Sequence, residues 1–142
     1  MSLLVYILRA LCVIATSICI TLPAQSVANS PQTSAFGTWI NTRGTVKVRT
    51  GDCGGKLCGW IVWANTEAEQ DARDNGVESL IGIELLEDYH LSHSGTWAGR
   101  VFVPDLGRKF ASTIVPVNAD ALKVSGCIFG GLICKSQIWR RA

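Results

Sequence analysis

Few side chains in this sequence have the types and spacing that chemistry needs. His90 and His93 are the only histidines, and Glu87 and Asp88 lie beside them. Two imidazoles and two carboxylates suit a weak divalent site, but the spacing fixes no third ligand. The sequence reading therefore assigns no metal, no cofactor and no catalytic residue. Glu84, Glu87 and Asp88 would be the carboxylates of a hydrolase pair, yet nothing sets two of them face to face. Ser92 and Ser94 flank His93 without a nucleophile elbow. Lys56 follows two glycines, as in a phosphate-binding loop. There the leading glycine position is Thr50, and Leu57 stands where a Ser or Thr would hold the magnesium, so a hairpin turn explains the run better.

The cysteines are more telling. Six are present, and two of them, Cys12 and Cys19, fall in an apolar N-terminal stretch. Arg9 is the one charged residue before Ala28; Ala10 to Leu22 is uncharged, Pro23 breaks it, and Ser26-Val27-Ala28 offers small residues for cleavage. Residues 1–28 read as a signal peptide, with an uncleaved anchor over Leu3–Leu22 as the alternative. Four cysteines then remain. In Cys53-Gly-Gly-Lys-Leu-Cys58 a turn centred on Gly55-Lys56 sets the sulfurs opposite each other, and Gly130-Gly131 does the same for Cys127 and Cys134. Two hairpin disulfides are expected, and an oxidising compartment favours them over a zinc site. The expected location is the periplasm or the secreted fraction.

Removing Arg9 from the 13 basic residues leaves 12 against 11 acidic ones. So balanced a charge argues against nucleic acid or a membrane surface as partner. Asn29 to Ser34 is polar, with Pro31, so residues 29–35 read as a disordered lead-in; 36–142 is long enough for one domain.

The elements that must position any site are short strands between Gly, Asn and Asp turns. Eight are expected: Phe36–Asn41, Thr45–Arg49, Gly59–Ala64, Leu80–Leu86, Thr96–Val103, Arg108–Pro116, Ala121–Gly126 and Ile133–Arg140. Val46–Arg49 alternates in and out, whereas Trp60–Trp63 and Val101–Val103 are apolar on both faces. The acidic segment Asn65–Ser79 carries a helical turn near Glu67–Arg73. Eight meandering strands in so short a chain imply an all-β, up-and-down antiparallel barrel, because closure removes sheet edges. Such a barrel is either filled or holds one small ligand.

Gly37-Thr38-Trp39 resembles the Gly-x-Trp opening of lipocalin-like barrels, in which the Trp plugs one end and an Arg of the last strand stacks on it. Trp139-Arg140 is the matching pair. The wider pattern runs from Gly37 and Trp39 through Cys53, Leu57-Cys58-Gly59, Ile61-Val62-Trp63, Asp74-Asn75, Ile81-Gly82, Trp97, Gly99, Pro104, Gly107, Lys109, Leu122 and Gly126-Cys127 to Cys134 and Trp139-Arg140. It resembles domain-of-unknown-function family 2147, small exported bacterial proteins. The resemblance implies a lipocalin-like barrel and no reaction. The chain departs from that pattern at Val103, where the family tends to carry Asp, and at Phe110, where it has an aromatic hydroxyl.

The functional expectation is a non-enzymatic binder of a small apolar or amphipathic molecule. Trp63, Trp97, Gly99, Phe102 and Phe110 are its expected ligand-contacting residues. The competing expectation is a solid barrel that docks an envelope protein through its exposed aromatics or its acidic loop.

Overall fold

The computed structural model describes residues 34–142. The expected signal peptide and nearly all of the lead-in lie outside the described residues. Eight antiparallel strands close into a barrel in chain order: β1 Gly37–Ile40, β2 Val46–Asp52, β3 Leu57–Ala64, β4 Glu84–Leu91, β5 Trp97–Val103, β6 Arg108–Asn118, β7 Ala121–Ile128 and β8 Ile133–Arg141. One helix, α1 (Thr66–Asp74), connects β3 to β4.

Consecutive turns of an up-and-down barrel alternate between its two ends. The β2–β3, β4–β5 and β6–β7 turns mark one end, which is plugged. Trp39 is fully buried there, and its indole N–H donates to the Ala35 carbonyl (3.2 Å) and to Thr50 Oγ1 (3.1 Å). Thr50 Oγ1 donates in turn to the Ala35 carbonyl at 2.6 Å. Ala35, assigned from sequence to a disordered lead-in, is thus a buried part of the core.

The cation over Trp39 also differs from expectation. It is Arg141, whose guanidinium lies 4.1 Å from the ring centroid, and not Arg140. The register decides this: Arg141 pairs with Trp39, whereas Arg140 pairs with Ile40 and is exposed. Side chains alternate faces, so only one of two neighbouring arginines can turn inward. Arg141 further donates to the carbonyls of Phe36 (3.2 Å) and Ala119 (2.8 Å). Gly37 makes this stack possible. Its φ is +137°, and a Cβ there would collide with the Arg141 guanidinium.

Both disulfides form, Cys53–Cys58 and Cys127–Cys134. The second joins residues directly opposite in the β7–β8 register. The first does not. Cys53 N–H bonds to the Lys56 carbonyl at 2.9 Å, so the turn centres on Gly54-Gly55, both at positive φ, and the sulfurs cross diagonally. Stable bridges suit a non-cytoplasmic compartment. Each closes a loop of only a few residues, so the C53S/C58S or C127S/C134S double variant is expected to lose about 2 kcal/mol. Urea denaturation midpoints measure this.

The other end carries α1. Asn65 caps the helix, accepting the Ala68 N–H at 2.8 Å, and the Glu69 carboxylate accepts the Leu80 N–H at 3.2 Å. Ala72 and Leu80 are buried, so the helix covers this end where β1 to β4 meet it. The helix also reaches the Pro104–Leu106 turn that links β5 to β6. No helix among the described residues is long and apolar enough to cross a membrane.

Candidate functional site

The barrel is filled at its plugged end and hollow at the other. Trp39, Trp97, Tyr89, Ile114 and Leu122 pack the lower interior and are fully buried. Above them a cavity of about 410 Å³ opens among β5, β6, β7 and β8. Its walls are Val101 and Val103 of β5, Leu106 of the turn after it, Phe110 and Ser112 of β6, Val124, Gly126 and Ile128 of β7, and Ile133, Lys135, Gln137 and Trp139 of β8.

Two features of the sequence make this hollow. First, the inward positions of the row Ser112–Gly126 carry almost no side chain. A Cβ on Gly126 would meet only Val101 Cγ1 at 3.8 Å and the Ala111 carbonyl at 3.9 Å, ordinary contacts with open space beyond. Second, β1 has only four residues and pairs with β8 at Trp39–Arg141 and Ile40–Arg140. The first half of β8 has no ladder partner on that side, so inward-facing Ile133, Lys135 and Gln137 remain exposed. The cavity is therefore a pocket with an apolar floor and an open side, a shape suited to a small apolar guest.

The polar groups of the interior are few. Tyr89 Oη, Trp97 Nε1 and Ser112 Oγ are buried and have no hydrogen-bond partner among the described residues. Burial pushes the Tyr89 phenol up to about 12; the nearby Ser112 hydroxyl opposes that rise, though not at hydrogen-bonding geometry, and Glu87 adds to it. The sign follows. An unfolded tyrosine ionises near 10.0, so the stability due to the protonated phenol is complete below pH 10 and lost as pH rises toward 12. We predict a loss of about 2–3 kcal/mol over that window. Thermal melts across it, with tyrosinate absorbance as a second readout, test this. Tyr89 is the sole tyrosine of the described residues, so Tyr89→Phe should abolish that part of the drop.

The expected ligand contacts scatter. Phe110 lines the cavity. Trp97 is buried beneath it and tilts against Phe36 at 6.1 Å. Gly99 does not open space, because the Tyr89 ring occupies it: a Cβ there would lie 2.6 Å from Tyr89 Cγ. Phe102 pairs with Lys109 and shares the outer face with Arg100, away from the cavity. Trp63 is also outside, 40% exposed, with the Lys47 ammonium 5.0 Å from its ring. Three residues apart, Trp60 and Trp63 would point to opposite faces of a regular strand. A bulge at Val62 inserts one extra residue, since Lys47 pairs with Trp63 and Val48 with Ile61, and both indoles turn outward. Trp139 contributes to both the core and the cavity wall. Val101, Val103, Ser112, Gly126, Lys135 and Gln137 were missed as lining residues. The β5 alternation that places Val101 and Val103 opposite Phe102 was a usable signal for two of them.

The residues weighed for chemistry are committed elsewhere. Lys56 Nζ bonds Asp88 at 2.9 Å, Arg100 reaches the same carboxylate at 3.1 Å, and Lys109 binds Glu87 at 2.9 Å. The Lys56 bond holds the Asp88 carboxyl below its ordinary range, with Arg100 adding to that and desolvation opposing it. Asp88 sits at φ +53°, in a β4 bulge that turns Tyr89 inward. Ser92 and Ser94 bond each other at 2.8 Å in the β4–β5 turn. Among the described residues no three His, Cys, Asp or Glu gather as a metal-binding set.

The model of a family described as "uncharacterized protein conserved in bacteria (DUF2147)" matches residues 37–141. The chain belongs to the DUF2147 family. The match spans the whole barrel, from the glycine that admits Arg141 to Arg141 itself. Among solved structures the DUF2147 barrel resembles a Helicobacter pylori protein, HP1028, described as belonging to the lipocalin family. The TM-score is 0.55 at 13% identity, over 75% of this chain and 81% of that one. At such identity the likeness shows the fold, a lipocalin-like barrel. Comparison with curated proteins gave no match.

Proposed function

We propose that this DUF2147 protein is an exported, non-enzymatic carrier of one small apolar or amphipathic molecule, working in the periplasm or the secreted fraction. The observation that carries this reading is the cavity of about 410 Å³, walled by Val101, Val103, Phe110, Val124, Ile128 and Ile133 above a packed floor. An apolar guest there removes apolar surface from water at both partners, worth about 25 cal/mol per Å² before association costs. The fold likeness to a lipocalin-family protein supports the reading.

The test has two arms. Protein purified from the envelope or medium is extracted with solvent and the extract examined for a stoichiometric apolar compound. The delipidated protein is then titrated with a neutral, environment-sensitive naphthylamine dye. A saturable one-to-one signal is expected, and an empty extract with a linear, unsaturable dye response would overturn the reading.

A second reading rests on the outer β2–β3 face, where Trp60 (37% exposed) and Trp63 stand beside Arg49 and Lys47. Exposed aromatics flanked by cations suit an acidic partner in the envelope. A W60S/W63S variant separates the two readings, because the carrier reading expects dye binding to be unchanged.

A further inference from the structure

Resting on the carrier reading, we propose that the guest is an anionic amphiphile whose head group presents accepting oxygens, as a carboxylate does, to Ser112 and Lys135. The polar side chains at the cavity include donors and a cation but no carboxylate. Ser112 is 5% exposed, lines the cavity, and its hydroxyl has no partner among the described residues. The Tyr89 hydroxyl beside it is equally buried and equally unpartnered. Gln137 accepts the Trp139 indole N–H on its carbonyl at 3.2 Å, which directs the amide and leaves its N–H₂ as a further donor. Lys135 is the one cationic side chain on the cavity wall and forms no ion pair among the described residues, as is also true of several outer cations such as Lys123 and Arg140. No Asp or Glu lines the cavity.

The register brings the donors to one place. Ser112 pairs with Gly126, and Gly126 pairs with Lys135, so the two face the interior two strands apart, roughly 10 Å. Gly126 has no side chain to stand between them. The four-carbon stem of Lys135 can carry its ammonium across that gap while lying along apolar wall. An oxyanion between them gains the cation and at least one buried hydroxyl donor, the charge-assisted arrangement that gives the strongest hydrogen bonds. A cationic head finds no carboxylate to pair with and meets Lys135 with repulsion. A plain hydrocarbon leaves the buried hydroxyls unsatisfied, as they are now.

Calorimetric titration with three probes of equal chain length tests this: dodecanoate, dodecanol and dodecyltrimethylammonium, each below its micellar concentration. Dodecanoate is expected to bind about 10-fold tighter than dodecanol, a preference that shrinks as salt rises, and the ammonium compound to give no saturable heat. K135Q should erase the preference of acid over alcohol, and K135R should keep it. S112A should weaken dodecanoate while leaving the melting temperature unreduced, since it removes a hydroxyl with nothing to bond. Equal affinity for all three probes, or a K135Q variant that keeps the preference, overturns the anionic guest and leaves the carrier reading standing. Failure of every probe to bind overturns both.

Discussion

Trp39→Ala is expected to lower the stability of the domain more than any other single truncation at this end of the barrel, shifting its urea midpoint sharply downward. The indole is fully buried, and truncating a buried tryptophan costs about 3–5 kcal/mol in lost burial and cavity formation. Here more is lost with it. Thr50 and the Ala35 carbonyl give up the indole N–H, and Arg141 is left over a void with nothing to stack on. A domain of this size holds about 5–15 kcal/mol in total, so the change removes a large share of its stability. Far-UV circular dichroism through a urea titration measures it. The neighbouring arginines give a sharper contrast. Arg141→Ala should cost about 1–2 kcal/mol, through the stack and its backbone hydrogen bonds. Arg140→Ala, on the exposed outer face, should stay within about 0.5 kcal/mol.

That contrast also shows where reading the sequence reaches its limit. The barrel was legible because its causes are local: glycine turns between short apolar runs, and two cysteine pairs held within hairpins. Trp39 as a plug was legible only through the resemblance of Gly37-Thr38-Trp39 to the opening of lipocalin-like barrels; the steric reason, a Gly37 without a Cβ to meet Arg141, is in the structure. Arg141 was not, because inward or outward orientation on β8 depends on its register against β1, which no local pattern states. The bulges had the same effect. One extra residue at Val62 moved Trp63 to the outer face, and the bulge at Asp88 swung Tyr89 over Gly99. The fourth strand was expected at Leu80–Leu86 on its run of apolar residues. It forms at Glu84–Leu91 instead. Gly82 at φ +87° turns the chain there, and the Leu80 N–H is held by Glu69 of the helix. The cavity was the least legible feature, since it consists of what Ser112 and Gly126 lack.

Filling that space is the second large prediction. Gly126→Phe should abolish guest binding, by more than about 10-fold in Kd, without unfolding the barrel. The position lies in a regular strand, its φ is not in the left-handed region, and its first side-chain atom meets nothing closer than 3.8 Å. An aromatic residue there gains strand propensity over glycine, and its ring takes the volume a guest would use. The urea midpoint should hold or rise while dye binding disappears. Binding that survives the substitution would place the guest outside the barrel, and the Trp60–Trp63 face would then be the surface to examine.

The hollow half-barrel as a binding site is the claim on which the rest stands. Its most direct test is residue-by-residue NMR shift mapping during a dodecanoate titration of the disulfide-intact protein. The account predicts saturable shifts at Val101, Phe110, Ser112, Val124, Gly126 and Ile133, with β2 and the outward indoles of Trp60 and Trp63 unmoved. Shifts confined to the outer face, or none that saturate, would contradict it.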